Sequence, residues 1–283
     1  MKRIYIISNA HKDKDFAVTR AVIQLLSSYG AEVFMSVSDM MSELSGCKFS
    51  ESIPDGAELI IVIGGDGSFI DASVFAIELD VPLLGVNLGK VGYLSEVEPN
   101  SLSVLGKLFE GDFNIVEKML LETACTVGGK QKREVRLAVN DVVVSHASPF
   151  GISDFTVTAR DGGIKYRADG VVISTPAGST AYSLSVGGPV VSHTADAIIV
   201  TPIAPHSFFN RSIVFGESDV ITVENTGDCL LNVSVDGRSV KTLSARDCCT
   251  VSASKKRLRV LTFKNNNMFS TLFGKMKLLE DIV

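Results

Sequence analysis

The chain has 283 residues, 46% of them hydrophobic and 21% charged, which supports a substantial core and excludes a disordered chain. As a prior, that length suggests about two domains. The net charge of −5 removes the basic face that bulk nucleic-acid binding requires, and no apolar run approaches the ~20 residues of a membrane span.

The opening, Met1-Lys2-Arg3-Ile4-Tyr5-Ile6-Ile7, reads as a first strand rather than a signal peptide. Asp13 to Tyr29 carries apolar residues near helical spacing (Phe16, Ala17, Ile23, Leu26), with Gly30 as its stop. Glu32 to Val37 reads as a second strand, and residues 38–56 as polar and irregular, closing on a Pro54-Asp55-Gly56 turn. Leu59 to Ile63 is entirely apolar, the mark of a strand covered on both faces. Gly64-Gly65-Asp66-Gly67-Ser68 follows, then an apolar helix from Phe69 to Leu79. Val81 to Val86 makes a fourth strand, Gly92 to Val97 a short fifth, and Ser101 to Glu110 a helix. Strands alternating with helices predict a parallel sheet over residues 1–112.

Past residue 112 the pattern changes to strand-like runs with Gly-, Asp- and Asn-rich turns, among them Asn225-Thr226-Gly227-Asp228 and Asp236-Gly237-Arg238. Residues 113–263 therefore read as an all-β domain, sandwich or barrel. A short helix is expected near Ser179 to Ser185. An amphipathic helix from Met268 to Leu279 is expected to pack back on the first domain, so that about 264–283 join it. The five cysteines are odd in number and lack CxxC spacing, which fits reduced thiols in a cytosolic protein.

The common catalytic signatures are missing. No Gly-Lys-Ser/Thr P-loop, GxGxxG fingerprint, HExxH pair or nucleophile elbow occurs, and the four histidines show no metal spacing. Four polar clusters remain at strand ends: Gly64–Ser68, Gly85–Tyr93, Asn140-Asp141, and Arg167 through Tyr182. In the first, glycines let a ligand approach the backbone, and the helix N-terminus offers free N–H groups to an anion. Each cluster also has a plainer reading. Asp66 could cap its helix, Asn140-Asp141 could be a strand-edge turn, Arg167 and Asp169 could form a surface pair, and Tyr93 and Tyr182 could be core.

Taken together and in order, the clusters resemble the NAD kinase family. The segments are Gly-Gly-Asp-Gly-Ser at 64–68, Gly-Val-Asn-Leu-Gly-Lys-Val-Gly-Tyr-Leu at 85–94 and Asn-Asp-Val-Val at 140–143. The long run Asp-Gly-Val-Val-Ile-Ser-Thr-Pro-Ala-Gly-Ser-Thr-Ala-Tyr-Ser-Leu-Ser at 169–185 and Thr-Pro-Ile-Ala-Pro-His-Ser at 201–207 complete the likeness. It implies a Rossmann-like α/β N-terminal domain and a C-terminal β-sandwich carrying most NAD contacts. The activity implied is phosphorylation of the 2′-hydroxyl of the adenosine ribose of NAD, giving NADP, with ATP and a divalent metal, usually Mg2+, as co-reactants. A homodimer or homotetramer in the cytoplasm is implied too.

Residue by residue, the resemblance makes Asp66 the proposed base, with the amides around Gly65, Gly67 and Ser68 facing triphosphate. Asn140 and Asp141 match a pair that binds adenine and ribose groups. Thr180, Ala181, Tyr182 and Ser185 match the segment along the adenosine, and Tyr93 an aromatic position at the adenine pocket. Arg167 and Asp169 match positions at the phosphates and the nicotinamide end, and Arg238 stands where many members carry Gln near the substrate. No protein residue is expected to be a metal ligand. Two other classes fit parts of the pattern: a lipid or other small-molecule kinase sharing Gly-Gly-Asp-Gly, and a catalytically silent NADP sensor.

Overall fold

The computed structural model describes residues 1–36, 44–89, 92–148, 151–160 and 162–263. The chain divides into two compact units, one of Met1–Glu117 with the segment from Leu258, the other of Lys118–Arg257.

The first unit is built on five parallel strands: β1 (Arg3–Ser8), β2 (Glu32–Ser36), β3 (Lys48–Ser50), β4 (Leu59–Gly64) and β5 (Leu83–Asn87), in the order β3-β2-β1-β4-β5. All six residues of β4 and all five of β5 are buried, as expected of strands covered on both faces. Helix α1 (Ala17–Ser28) buries Val22, Ile23 and Leu26, and α2 (Asp66–Leu79) buries Phe69, Ala72 and Ala76. These side chains complete a core with Ile4, Ile6, Ile61 and Ile63 for α1, while α2 packs on β4 and β5. A 3-10 turn (Pro99–Gly106) runs into the short α3 (Lys107–Glu110).

The second unit is antiparallel. One sheet joins β9 (Ser153–Ala159), β10 (Gly162–Ala168), β14 (Val220–Asn225) and β17 (Cys248–Thr262), with β6 (Asn114–Val127) paired to β17 and β7 (Lys130–Ala138) paired to β6. The other runs β13-β12-β11-β8-β15-β16, from β8 (Asp141–His146), β11 (Gly170–Ser174), β12 (Ala197–Ile203), β13 (Ile213–Gly216), β15 (Leu231–Val235) and β16 (Arg238–Leu243). Phe155, Val157, Ile221 and Val251 of the first sheet meet Val142, Val144, Ile173 and Val233 of the second in one buried cluster. This is a β-sandwich.

Several sequence expectations need correction. The run 92–97 is not a strand: only Val97 bridges, to Val86. The stretch read as irregular holds β3, a three-residue edge strand paired with β2 alone and only partly buried, so it carries no apolar pattern. The sequence reads as two separate strand runs, 250–253 and 258–263, but residues Cys248–Thr262 form one strand, β17, whose middle carries exposed Lys255 and Lys256. The expected helix from Met268 to Leu279 lies outside the described residues.

Candidate active site

In the first unit, the chain leaves β1 toward β2 and β3 on one side, then returns to place β4 and β5 on the other. The order of strands reverses between β1 and β4. In open α/β sheets the crevice at the carboxyl ends of such strands is where ligands bind. Gly64 to Ser68 occupies that place.

The local geometry explains the glycines unevenly. A Cβ on Gly64 would fall 2.6 Å from Ser68, and a Cβ on Gly65 would fall on the Lys12 ammonium. Gly67 has open space around it. Gly65 is the N-cap of α2, with extended backbone and no side-chain cap. Asp66 does not cap the helix. Its Oδ2 accepts the Tyr93 N–H at 3.0 Å and its Oδ1 accepts the Leu94 N–H at 2.9 Å. Each oxygen keeps a further lone pair for another donor. Ser68 Oγ accepts from Asn9 Nδ2 at 2.8 Å, and the Asn9 N–H donates to the Ile63 carbonyl at 2.9 Å, so the ends of β1 and β4 are laced together.

The loop that meets Asp66 has its own brace. Asn87 is buried; its Oδ1 accepts the Gly89 N–H at 2.8 Å and its Nδ2 donates to Glu98 at 3.1 Å. Gly92 has φ 60° and lies so close to the Asn87 side chain that a Cβ could not fit. Tyr93 is half-buried.

In the second unit, Asn140 and Asp141 form the corner where β8 begins. The Thr175 N–H donates to the Asn140 carbonyl at 2.9 Å, and Thr175 Oγ1 to the Val139 carbonyl at 2.7 Å. A Cβ on Gly178 would collide with the Asn140 carbonyl, so only glycine lets the Pro176–Thr180 turn lie on that corner. Thr180, Ala181, Tyr182 and Ser185 continue from this turn into the four-residue helix α4 (Tyr182–Ser185). Tyr182 is exposed rather than core. Asn140 Oδ1 is buried without a protein hydrogen-bond partner. Asp141 is 6% exposed; burial first, then the nearby Asp236 charge, push its carboxyl up to about 7.

Arg167 and Asp169 lie elsewhere in this unit. Antiparallel pairing sets Asp141 opposite Ser174 and Ser145 opposite Gly170, so Asp169 flanks the far end of β11. Five residues of strand span roughly 17 Å. The segment 201–207 joins Arg167 there: the His206 N–H donates to the Arg167 carbonyl at 2.8 Å, and the Arg167 N–H to Ser207 Oγ at 3.2 Å. Arg167 and Asp169 form no ion pair with each other. Asp236-Gly237 is a two-residue hairpin turn with φ of 47° and 78°, and Arg238 next to it is exposed.

The structure thus brings Asp66 together with Tyr93, and Asn140 and Asp141 together with the 175–185 segment. It separates Arg167 and Asp169 from that second group within the chain. Family models described as the ATP-NAD kinase N-terminal domain and the ATP-NAD kinase C-terminal domain match residues 4–113 and 139–263. The chain belongs to the NAD kinase family. An NAD kinase of Thermoanaerobacter sp. (strain X514) is 34% identical over 281 residues, covering 98% of this chain and 99% of its own. One from Lachnospira eligens is 36% identical over 261 residues, 89% of each chain. Among solved folds, a yeast NADH kinase complexed with NADH superposes with a TM-score of 0.82 at 22% identity, over 96% of this chain and 86% of that one. An NAD kinase from Archaeoglobus fulgidus in complex with ATP gives 0.70 at 23% identity, over 98% and 99%.

Sequence reasoning passed over Asn9, Lys12 and Asp236. The first two carry no motif, but they follow the carboxyl end of β1, where the strand order reverses. Asp236 looked like turn chemistry alone. Among the described residues no three His, Cys, Asp or Glu side chains converge as a metal cage, and both Asp66 oxygens already accept amides.

Proposed function

We propose that this chain transfers the γ-phosphoryl group of ATP to the 2′-hydroxyl of the adenosine ribose of NAD. The observation that carries the reading is the position of Asp66, at the carboxyl end of β4 where strand order reverses and at the first residue of α2. The two backbone amides fix its carboxylate without using all its lone pairs. It is thereby oriented to accept the ribose proton as the 2′-oxygen bonds to phosphorus. The bond from that phosphorus to the β–γ bridging oxygen breaks, and ADP leaves with the electron pair. The open backbone at Gly67 and the ammonium of Lys12 suit the triphosphate.

In the other unit, the buried Asn140 Oδ1 is an acceptor awaiting a donor such as an adenine amino group. Asp141, Thr180, Ala181, Tyr182 and Ser185 would line the same nucleoside. Arg167 and Asp169, at the far end of β11, suit the phosphates and nicotinamide of a dinucleotide held by a second copy in a homodimer or homotetramer. Arg238 is assigned to the substrate rim. A divalent cation, Mg2+ by class, would enter with the triphosphate and offset its charge. The free thiols fit a cytoplasmic protein.

The test is direct. Purified protein with NAD, ATP and magnesium should form NADP, and Asp66→Asn should lose turnover while still binding both nucleotides. Absence of NADP would remove the kinase reading. Binding without turnover in the unaltered protein would favour a sensor.

A further inference from the structure

The hairpin tip after β15 reaches the Asn140 corner and is bonded to it four times. Asp236 Oδ2 accepts the Val139 N–H at 2.8 Å, and Oδ1 accepts the N–H groups of Asn140 at 2.8 Å and Asp141 at 3.1 Å. In return the Asp236 N–H donates to the Asp141 carbonyl at 3.0 Å. Three consecutive amides aimed at one carboxylate make an anion nest, here filled by a side chain of the same protein. The turn that delivers this carboxylate holds Asp236 at φ 47°, a left-handed conformation costly for a residue other than glycine.

We propose that Asp236 is the positioning residue of the nucleoside subsite: its charge organises the backbone from which Asn140 and Asp141 project, and makes Asp141 the protonated member of the pair. The inference rests on the assignment of that corner to NAD. The charged groups acting here are Asp141 on β8, Asp236 on the hairpin tip and Arg238 on β16. Two adjacent carboxylates out of water do not both ionise readily. Burial raises the Asp236 carboxyl as well, and the three amides and Arg238 oppose that rise by favouring its charge. Asp141 is the more enclosed, and its carboxyl side chain has no such amide nest. Below about pH 7 the shared proton therefore resides on Asp141, which then presents a donor as well as an acceptor to the ligand. A ribose diol or a purine ring nitrogen can use both.

The experiment compares Asp236→Ala, Asp236→Asn and the unaltered enzyme. Asp236→Ala should raise the KM for NAD on the order of tenfold, the scale of one charge-assisted hydrogen bond, with kcat and the KM for ATP little changed. Asp236→Asn, which keeps one carbonyl oxygen toward the amides, should recover part of that loss. In the unaltered enzyme the KM for NAD should rise as pH passes about 7, and in Asp236→Asn that inflection should move to lower pH. Unchanged NAD kinetics and pH profile in both variants would overturn the proposal, as would a parallel loss of kcat and of both KM values. Amide hydrogen exchange at residues 139–141 reads the nest without substrate. Protection should fall in Asp236→Ala, and unchanged protection would overturn the proposal. If the unaltered protein makes no NADP, the kinase reading falls and the exchange result still decides this one.

Discussion

The ammonium of Lys12 lies over the α-carbon of Gly65, in the space a side chain at that position would fill. Lys12 belongs to the loop after β1 and Gly65 to the turn after β4, so the contact joins the two strand ends at the point where the sheet changes direction. Lys12 is exposed, which leaves its charge available to a triphosphate. Lys12→Ala should raise the KM for ATP by about tenfold or more and leave that for NAD nearly unchanged. Initial rates with each substrate varied in turn would measure it, and equal effects on both would argue for a folding defect.

Asp66 is both an anchor and a base in this scheme. Asp66→Asn replaces one acceptor with an amide that faces a backbone N–H, so the Tyr93-Leu94 loop should loosen as well as the chemistry fail. Turnover should drop roughly 10²- to 10⁴-fold, the range of general-base losses. Isothermal titration with NAD and ATP separates that from lost binding. Activity surviving intact would strip Asp66 of the base role.

Asp141 ties stability to pH. An aspartate in an unfolded chain titrates near 3.9, whereas burial and then the Asp236 charge hold this one at about 7. Between those values the folded protein binds more protons than the unfolded, so the contribution is full below pH 4 and lost as pH rises through about 7. Asp141→Asn has no such proton to lose. Relative to it, the unaltered protein should lose on the order of 2–4 kcal/mol between about pH 4 and pH 8. Urea unfolding across that range checks the sign; a constant difference would contradict it.

Gly178→Ala tests how tightly the 175–185 segment lies on Asn140. The added methyl would collide with the Asn140 carbonyl, which is backbone and cannot rotate aside. A stability loss of about 1–3 kcal/mol is expected, with weaker NAD binding. Thermal unfolding and NAD titration read the two effects; a neutral result would mean the turn can slide on the corner.

Much of this was legible in the residues. The unbroken apolar run at 59–63 announced a doubly covered strand, and Gly64 to Ser68 announced the turn beyond it. Asp236-Gly237 correctly signalled a hairpin. What stayed hidden was what each turn touches. Nothing in the sequence says that Asp236 meets amides some 100 residues earlier, or that Lys12 meets Gly65, because such contacts come from topology rather than local pattern. The partly buried, three-residue β3 and the lysine-bearing middle of β17 were missed because edges and solvent-facing stretches lack the apolar signal. The 92–97 run looked like a strand from its residue types, but its amides at Tyr93 and Leu94 are taken by Asp66 instead of a neighbouring strand.

The parallel contact between Leu83 of β5 and Val260 of β17 has a consequence for how the protein comes into being. The nascent chain delivers β1 to β5 early, yet the residue that pairs with Leu83 emerges only after the whole β-sandwich has been made. At about 5–20 residues per second the wait is roughly 9–35 s. Through that interval the Leu83 end of the β5 flank is open to pairing with another chain, while Val97 already bonds to Gly85 and Asn87 further along. The sandwich has its full set of residues sooner than the unit whose synthesis began first.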